Sequence, residues 1–314
     1  MTEEQKLIRI DQLRKEKNAV ILAHNYQIAP IQDVADYVGD SLGLARMAQK
    51  TDKDIIVFCG VYFMAETAKI LNPGKTILIP DPDAGCSLVD SITLTDVQKW
   101  KAENPGAVTV GYVNSSAEIK SELDYCCTSG NAAQIVASIP AETPILFLPD
   151  MFLGMYVKRK TGRKNMQIWA GECHVHAAID LKKINKAVAA HPGADLMVHP
   201  ECGCSTTCML HAAEGDITAP TYIYSTEKMV NHAMASANDD FLIATEVGIL
   251  HRLKKEAPGK TFFPVSESAV CEYMKMITVD KLIDSLEKEI HPVEVDENIR
   301  QKALLSIERM IAVG

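Results

Sequence analysis

The chain has 314 residues, is 47% hydrophobic and carries a formal net charge of −9. It can therefore bury substantial cores, its acidic balance argues against general nucleic-acid binding, and no apolar run reaches the ~18 residues needed to span a bilayer. The start, "MTEEQKLIRIDQLRKEKN", is charged and helix-periodic without an apolar signal-peptide core, so a cytoplasmic protein is expected. In that compartment the nine cysteines are metal ligands, catalytic groups or buried thiols rather than disulfides.

Short apolar strands alternate with amphipathic helices, which predicts an α/β protein. Length alone suggests about two domains of roughly 150 residues, but the order of elements repeats three times. The first unit opens with a helix, turn and strand, "LRKEKNAVILAHNY", ending on His24-Asn25-Tyr26. It passes a helix start at Ser41 in "GDSLGLA", then a strand and helix, "DIIVFCGVYFMAETAKIL". A further strand, "KTILIPDPDAGC", closes it at Cys86.

The second unit repeats this with "VQKWKAENPGAVTVGYVN", ending on Tyr112-Val113-Asn114, then Ser129 in "CTSGNAAQIV". "PILFLPDMFLGMYVKRK" follows, and "NMQIWAGEC" ends at Cys173. The third runs from "INKAVAAHPGADLMVHPE", ending on His199-Pro200-Glu201, through Ser225-Thr226 in "YSTEKMVNHA". "DFLIATEVGILHRLKK" leads to "KTFFPVSESAVC", which ends at Cys271. The remaining tail, Asp280 to Gly314, reads as helices with acidic and basic faces that pack around the units or make a subunit contact.

From serine to cysteine the separations are 45, 44 and 46 residues. Three cysteines in phase mark one structural position used three times. In open α/β units functional groups gather beyond the carboxyl ends of the strands, so units facing a common axis would bring these thiols together. Three converging thiolates suit an iron–sulfur cluster, with a three-cysteine Zn²⁺ site as the lesser alternative. Buried apolar packing of the thiols is the plain alternative for any one of them. The other strand ends offer His24, Tyr26, Tyr112, His199 and Glu201 as acid/base groups. Asn114 adds an amide for a carboxylate or carbonyl, and Ser41, Ser129, Ser225 and Thr226 add hydroxyls at helix starts suited to carboxylate or phosphate.

The most metal-like stretch lies out of phase. In "ECGCSTTCM", Cys202, Cys204 and Cys208 precede the third unit's serine, and they rank first as packed thiols, then as a redox-sensitive pair, then as an auxiliary metal site. Cys59, Cys126 and Cys127 read as core. His174 and His176 flank Cys173, and His191, His211, His232, His251 and His291 belong to no motif.

The strings "ILAHNYQ", "GDSL", "VFCGVYFMAETAKILNP", "YVNSSAEIK", "CTSGNA", "GECHVH", "HPEC", "ATEVGILHRL" and "CEYMKMIT" occur in order along nearly the whole chain. Together they resemble the quinolinate synthase family of de novo NAD biosynthesis. The resemblance implies three Rossmann-like αβα units in pseudo-threefold arrangement around a central active site. The units fall at residues 1–98, 99–186 and 187–281, with a helical tail at 282–314. It implies a [4Fe–4S] cluster on Cys86, Cys173 and Cys271, whose open iron aids a dehydration. The implied reaction condenses iminoaspartate with dihydroxyacetone phosphate, releasing quinolinate, phosphate and water. His24, Ser41, Tyr112, Asn114, Ser129, His199, Glu201, Ser225 and Thr226 would contact substrate, with Glu201, Tyr26, Tyr112 and His199 moving protons. The enzyme supplying iminoaspartate is a candidate partner; nucleic acid and membrane are not expected. "STEKM" departs from many members of that family, which carry smaller residues after Ser-Thr. Glu227 and Lys228 there read as a solvated first turn, or Lys228 as a phosphate contact.

The rival readings are a hydro-lyase with a three-cysteine cluster acting on a hydroxy acid, and an iron–sulfur redox sensor. A radical enzyme using S-adenosylmethionine is disfavoured because its close cysteine spacing is missing.

Overall fold

The computed structural model describes residues 1–205, 207–209 and 217–313; His211 lies outside them. Among the described residues twelve strands form three separate four-stranded parallel sheets. The first sheet holds β1 (Ala19–His24), β2 (Tyr37–Gly39), β3 (Ile55–Cys59) and β4 (Thr76–Leu78) in the order β2-β1-β3-β4. The second holds β5 (Val108–Tyr112), β6 (Tyr125–Cys127), β7 (Ile145–Leu148) and β8 (Met166–Ile168), ordered β6-β5-β7-β8. The third holds β9 (Asp195–Val198), β10 (Thr221–Ile223), β11 (Asp240–Ala244) and β12 (Thr261–Pro264), ordered β10-β9-β11-β12.

The same strand order three times, with flanking helices, is the repeated αβα architecture expected from the sequence. Each unit has one strand more than the three its apolar runs predict. The extra strands β2, β6 and β10 are edge strands of three residues, too short to show a period. The central strands explain themselves. β1, β3 and β7 are buried at every position, as continuous Val/Ile/Leu/Ala-rich runs must be when helices cover both faces. The shared Pro-Gly-Ala turns ahead of β5 and β9 place Gly106 and Gly193 at φ 83° and 88°, a region that costs glycine nothing.

Strand pairing sets the depth of the site. β1 pairs with β3 from Ala19↔Ile55 to Ala23↔Cys59, β5 with β7 from Val108↔Ile145, and β9 with β11 up to Val198↔Ala244. These pairs lie where the strand order reverses, the crevice position of open α/β sheets. The residues just beyond them converge on one cavity.

The tail closes two units. Helix Val279–Lys288 packs on helix Glu3–Glu16, with Lys6 Nζ 2.8 Å from Asp280. Helix Glu297–Ala312 packs on β6 and on helices Ala117–Lys120 and Tyr62–Leu71. Asn131 Nδ2 donates to the carbonyls of Met310 and Val313, each at 2.9 Å. Among the described residues no helix is long and apolar enough to cross a membrane.

Candidate active site

The cavity receives residues from all three units. Every sequence-predicted site residue except Ser225 lines it. Ser225 is buried and starts helix Thr226–Ala235, so its neighbour Thr226 provides the cavity hydroxyl.

The serine pattern marks helix starts without marking caps. Asp40, not Ser41, caps helix Ser41–Lys50 by accepting from the Gly43 N–H at 2.9 Å. Asn131 occupies the cap position after Ser129, and Ser225 makes no side-chain cap bond. Ser41 and Ser129 thus reach the cavity instead of serving their own helices.

The histidines at the ends of β1 and β9 share one local geometry. The Tyr26 N–H points at His24 Nδ1 at 3.2 Å, and the Glu201 N–H points at His199 Nδ1 at 3.4 Å. Because each Nδ1 accepts, each neutral ring carries its proton on Nε2. His199 Nε2 donates to Ser129 Oγ at 3.1 Å. Burial depresses both rings to about 3, so both are neutral donors at pH 7.

His176 is the opposite case. Burial acts to lower it, yet the adjoining Cys173 and Glu201 raise it well above the ordinary histidine range. Its Nδ1 lies 2.9 Å from Glu201 Oε2 and 3.2 Å from Cys173 Sγ, while Nε2 lies 2.8 Å from Thr245 Oγ1. The Tyr26 hydroxyl is 2.6 Å from the same Thr245 oxygen. Burial would raise the Glu201 carboxyl, but His176, His199 and the approach of Tyr112 hold it well below the usual carboxylate range. Its Oε1 is buried with no partner among the described residues, as is Oδ1 of Asn114. Burial raises Tyr26 and Tyr112 well above the ordinary phenol range, so both stay protonated.

Cys86, Cys173 and Cys271 all line the cavity, one from each unit. Cys173 and Cys271 hold the N-cap positions of helices His174–Ala177 and Glu272–Lys275. Burial pushes Cys86 up to about 12 against the amides of Leu88 and Val89. It pushes Cys271 up to about 11 against those of Met274 and Tyr273. Left alone these thiols are protonated; a bound cation reverses that, and the amides then donate to thiolate sulfur. The donor set, three soft sulfurs of which two have backbone N–H partners and the third has His176 beside it, fits a soft metal centre. Cys173, His176 and Glu201 also bring ligand atoms within 4.8 Å of one another.

The remaining cysteines stay out of the cavity. Cys59, Cys126 and Cys127 are core, and Cys202, Cys204 and Cys208 are buried together, with Cys202 Sγ donating to the Ala244 carbonyl at 3.0 Å. Among the histidines outside the site, His191 stacks on Phe263, His232 meets Asp195 and His251 meets Asp33. Lys228 is exposed and does not line the cavity. Glu227 is no solvated turn residue: it accepts two bonds from Arg252 at 2.7 and 3.0 Å.

Sequence reading missed Thr245 and Glu246, which follow β11 as His199 follows β9, at the strand end that His24 occupies in β1. The repeat itself was the available signal, since both sit at the carboxyl end of a central strand. Glu246 is fully buried, pairs with Lys275 at 2.9 Å and accepts from the Cys271 N–H at 3.2 Å. Lys275 also donates to the Tyr26 carbonyl.

The family described as quinolinate synthetase A protein matches residues 8–312. A quinolinate synthase of Pyrobaculum aerophilum is 53% identical over 298 residues, covering 95% of this chain and 96% of its own. One of Thermus thermophilus is 53% identical over 302 residues, 96% of this chain and 95% of its own. One of Mycobacterium tuberculosis is 52% identical over 299 residues, 95% of this chain and 86% of its own. With a match spanning nearly every residue from the first helix to the last, this chain belongs to the quinolinate synthetase A family of enzymes.

Proposed function

We propose that this chain condenses iminoaspartate with dihydroxyacetone phosphate to form quinolinate, one phosphate and two waters, as a transferase-type condensing enzyme of NAD biosynthesis in the cytoplasm. The observation that carries this reading is the meeting of three in-phase cysteines with Glu201 and two neutral histidine donors in one cavity. Family membership supplies the reaction class.

Cys86, Cys173 and Cys271 would hold a [4Fe–4S] cluster. When bound, such a cluster offers one iron without a cysteine ligand, a Lewis acid suited to helping hydroxide leave.

The chain's own residues divide into binding and proton-moving groups. His24 donates through Nε2 to a carboxylate or carbonyl oxygen of substrate, while His199 gives its Nε2 proton to Ser129 and so leaves the Ser129 hydroxyl hydrogen for substrate; neither ring carries charge at neutral pH. Ser41, Ser129, Thr226 and Asn114 surround the same space with hydroxyls and a carboxamide. Glu201, ionised and with Oε1 unpartnered, is the base that removes substrate protons during condensation and ring closure. His176 balances its charge. Tyr26 and Tyr112, both protonated, donate to developing oxyanions.

The test is turnover. Purified anaerobically and reconstituted with iron and sulfide, the protein should form quinolinate from the two substrates. A cluster-loaded sample that makes none would refute the function.

A further inference from the structure

Thr226 is buried and lines the cavity from the first turn of its helix. Asn25 Nδ2 donates to Thr226 Oγ1 at 2.9 Å, and Arg252 Nη1 donates to Asn25 Oδ1 at 2.8 Å. The same guanidinium makes a two-pronged bond to Glu227, at 2.7 and 3.0 Å. Neither Arg252 nor Glu227 lines the cavity.

The chemistry of these groups fixes the direction of every bond. A guanidinium carries only donors, so the carboxamide oxygen of Asn25 must face it. The carboxamide nitrogen then faces Thr226, whose oxygen is taken up as an acceptor. The hydroxyl hydrogen is left for a ligand in the cavity. A flipped Asn25 would set its NH₂ against the guanidinium and turn its oxygen to Thr226, drawing that hydrogen inward.

We propose that Arg252, held by Glu227, is a positioning residue that fixes Asn25 so that Thr226 presents a donor to an anionic oxygen of the substrate. That oxygen belongs to a carboxylate or a phosphate. This deepens the proposed function and rests on it for the identity of the substrates. Glu227, in the "STEKM" stretch, is the residue that anchors the relay.

The experiment measures KM for each substrate with cluster-loaded protein, and binding of inorganic phosphate and of succinate by calorimetry. Asn25→Asp offers Thr226 only acceptors and should weaken one of the two anions, and raise the matching KM, by about tenfold or more. Phosphate weakening assigns the subsite to the triose phosphate, and succinate weakening to the dicarboxylate. Saturated kcat should change far less than KM. Arg252→Gln, whose carboxamide can present either an oxygen or an NH₂ to Asn25, should act in the same direction, and Arg252→Lys, which again offers only donors, should recover most of the loss. In a Thr226→Val background Arg252→Gln should add no further effect on KM. Lys254→Ala, exposed on the same helix, serves as the control without effect.

Thermal destabilisation by Arg252→Gln with KM and both anion affinities intact would overturn the relay, as would an equal KM effect in the Thr226→Val background. Absence of quinolinate would refute the proposed function alone, because the anion titrations need no turnover. If the wild type binds neither anion, or binds both as Asn25→Asp does, the relay is overturned on its own evidence.

Discussion

His176 and Glu201, from different units, meet as a buried ion pair with Nδ1 2.9 Å from Oε2. The pair fixes the charge states of the site: a carboxylate that is ionised at neutral pH and a histidine that is protonated. Glu201 Oε2 also lies 3.6 Å from His199 Nδ1, and His176 Nε2 is bonded to Thr245. One member serves proton transfer while the other holds it in its basic form.

Glu201→Gln should lower kcat by roughly 10²–10⁴-fold, the range for a positioned general base. It also leaves a buried imidazolium without its counter-charge, which costs about 3–5 kcal/mol when one partner of a buried pair is removed. Combining it with His176→Gln should restore part of the stability and none of the activity. Urea unfolding of the apoprotein and steady-state rates of the loaded enzyme read the two effects separately. Unchanged activity in Glu201→Gln would remove this residue from the chemistry.

Replacing Cys86, Cys173 or Cys271 with serine should abolish the visible absorbance of the reconstituted cluster and quinolinate formation together. Cys204→Ser and Cys208→Ser should keep both, because those thiols lie outside the cavity. Iron and sulfide content per chain, measured beside the spectrum, decides the matter. A serine variant of the first three that retains full iron and sulfide would overturn the ligand assignment.

His24 and His199 should make the apoprotein lose stability as pH falls below 6.5. His24 and His199 are depressed by burial from an ordinary 6.5 to about 3. Between those values the unfolded chain binds protons that the folded chain refuses, so stability falls with acidification by up to ~1.4 kcal/mol per pH unit for each ring. Glu201, whose carboxyl is held down, contributes stability above its ordinary 4.5 that is lost as pH falls further. His176 works in the other sense: burial opposes its charge, but Cys173 and Glu201 raise it. Its contribution is complete below 6.5 and declines as pH rises toward its elevated value. Denaturant midpoints at pH 4.5, 6.5 and 8.5 test this, and His24→Gln should flatten the acid limb. A His24→Gln profile with the same acid limb as the wild type would contradict the depressed state of that ring.

Tyr26→Phe separates catalysis from packing. The Thr245 hydroxyl keeps its bond to His176 Nε2 at 2.8 Å, so the substitution should cost only about 1 kcal/mol of stability. If Tyr26 donates to a developing oxyanion, kcat falls by roughly a hundredfold or more. Wild-type kcat in this variant would confine Tyr26 to a structural role.

Much of this was legible along the chain. Continuous apolar runs bounded by turns reveal buried parallel strands, and the near-constant spacing of Ser41, Ser129 and Ser225 from Cys86, Cys173 and Cys271 reveals the repeat. The same order of polar residues at strand ends named His24, Tyr112 and His199 as cavity groups. The edge strands β2, β6 and β10 escaped because three residues carry no periodicity, and their pairing comes from a neighbouring strand.

The sequence by itself determined which residue types stand at the ends of the central strands, since local pattern and turn chemistry place those ends. Only the tertiary structure decided what they are. His24 and His199 are neutral and His176 is charged because burial and the nearness of Glu201, not sequence position, set each proton's free energy. In the same way Glu227 reads as a solvated turn residue until the fold brings Arg252 to it, and Cys204, the more conspicuous cysteine, is left outside the cavity that Cys86 enters.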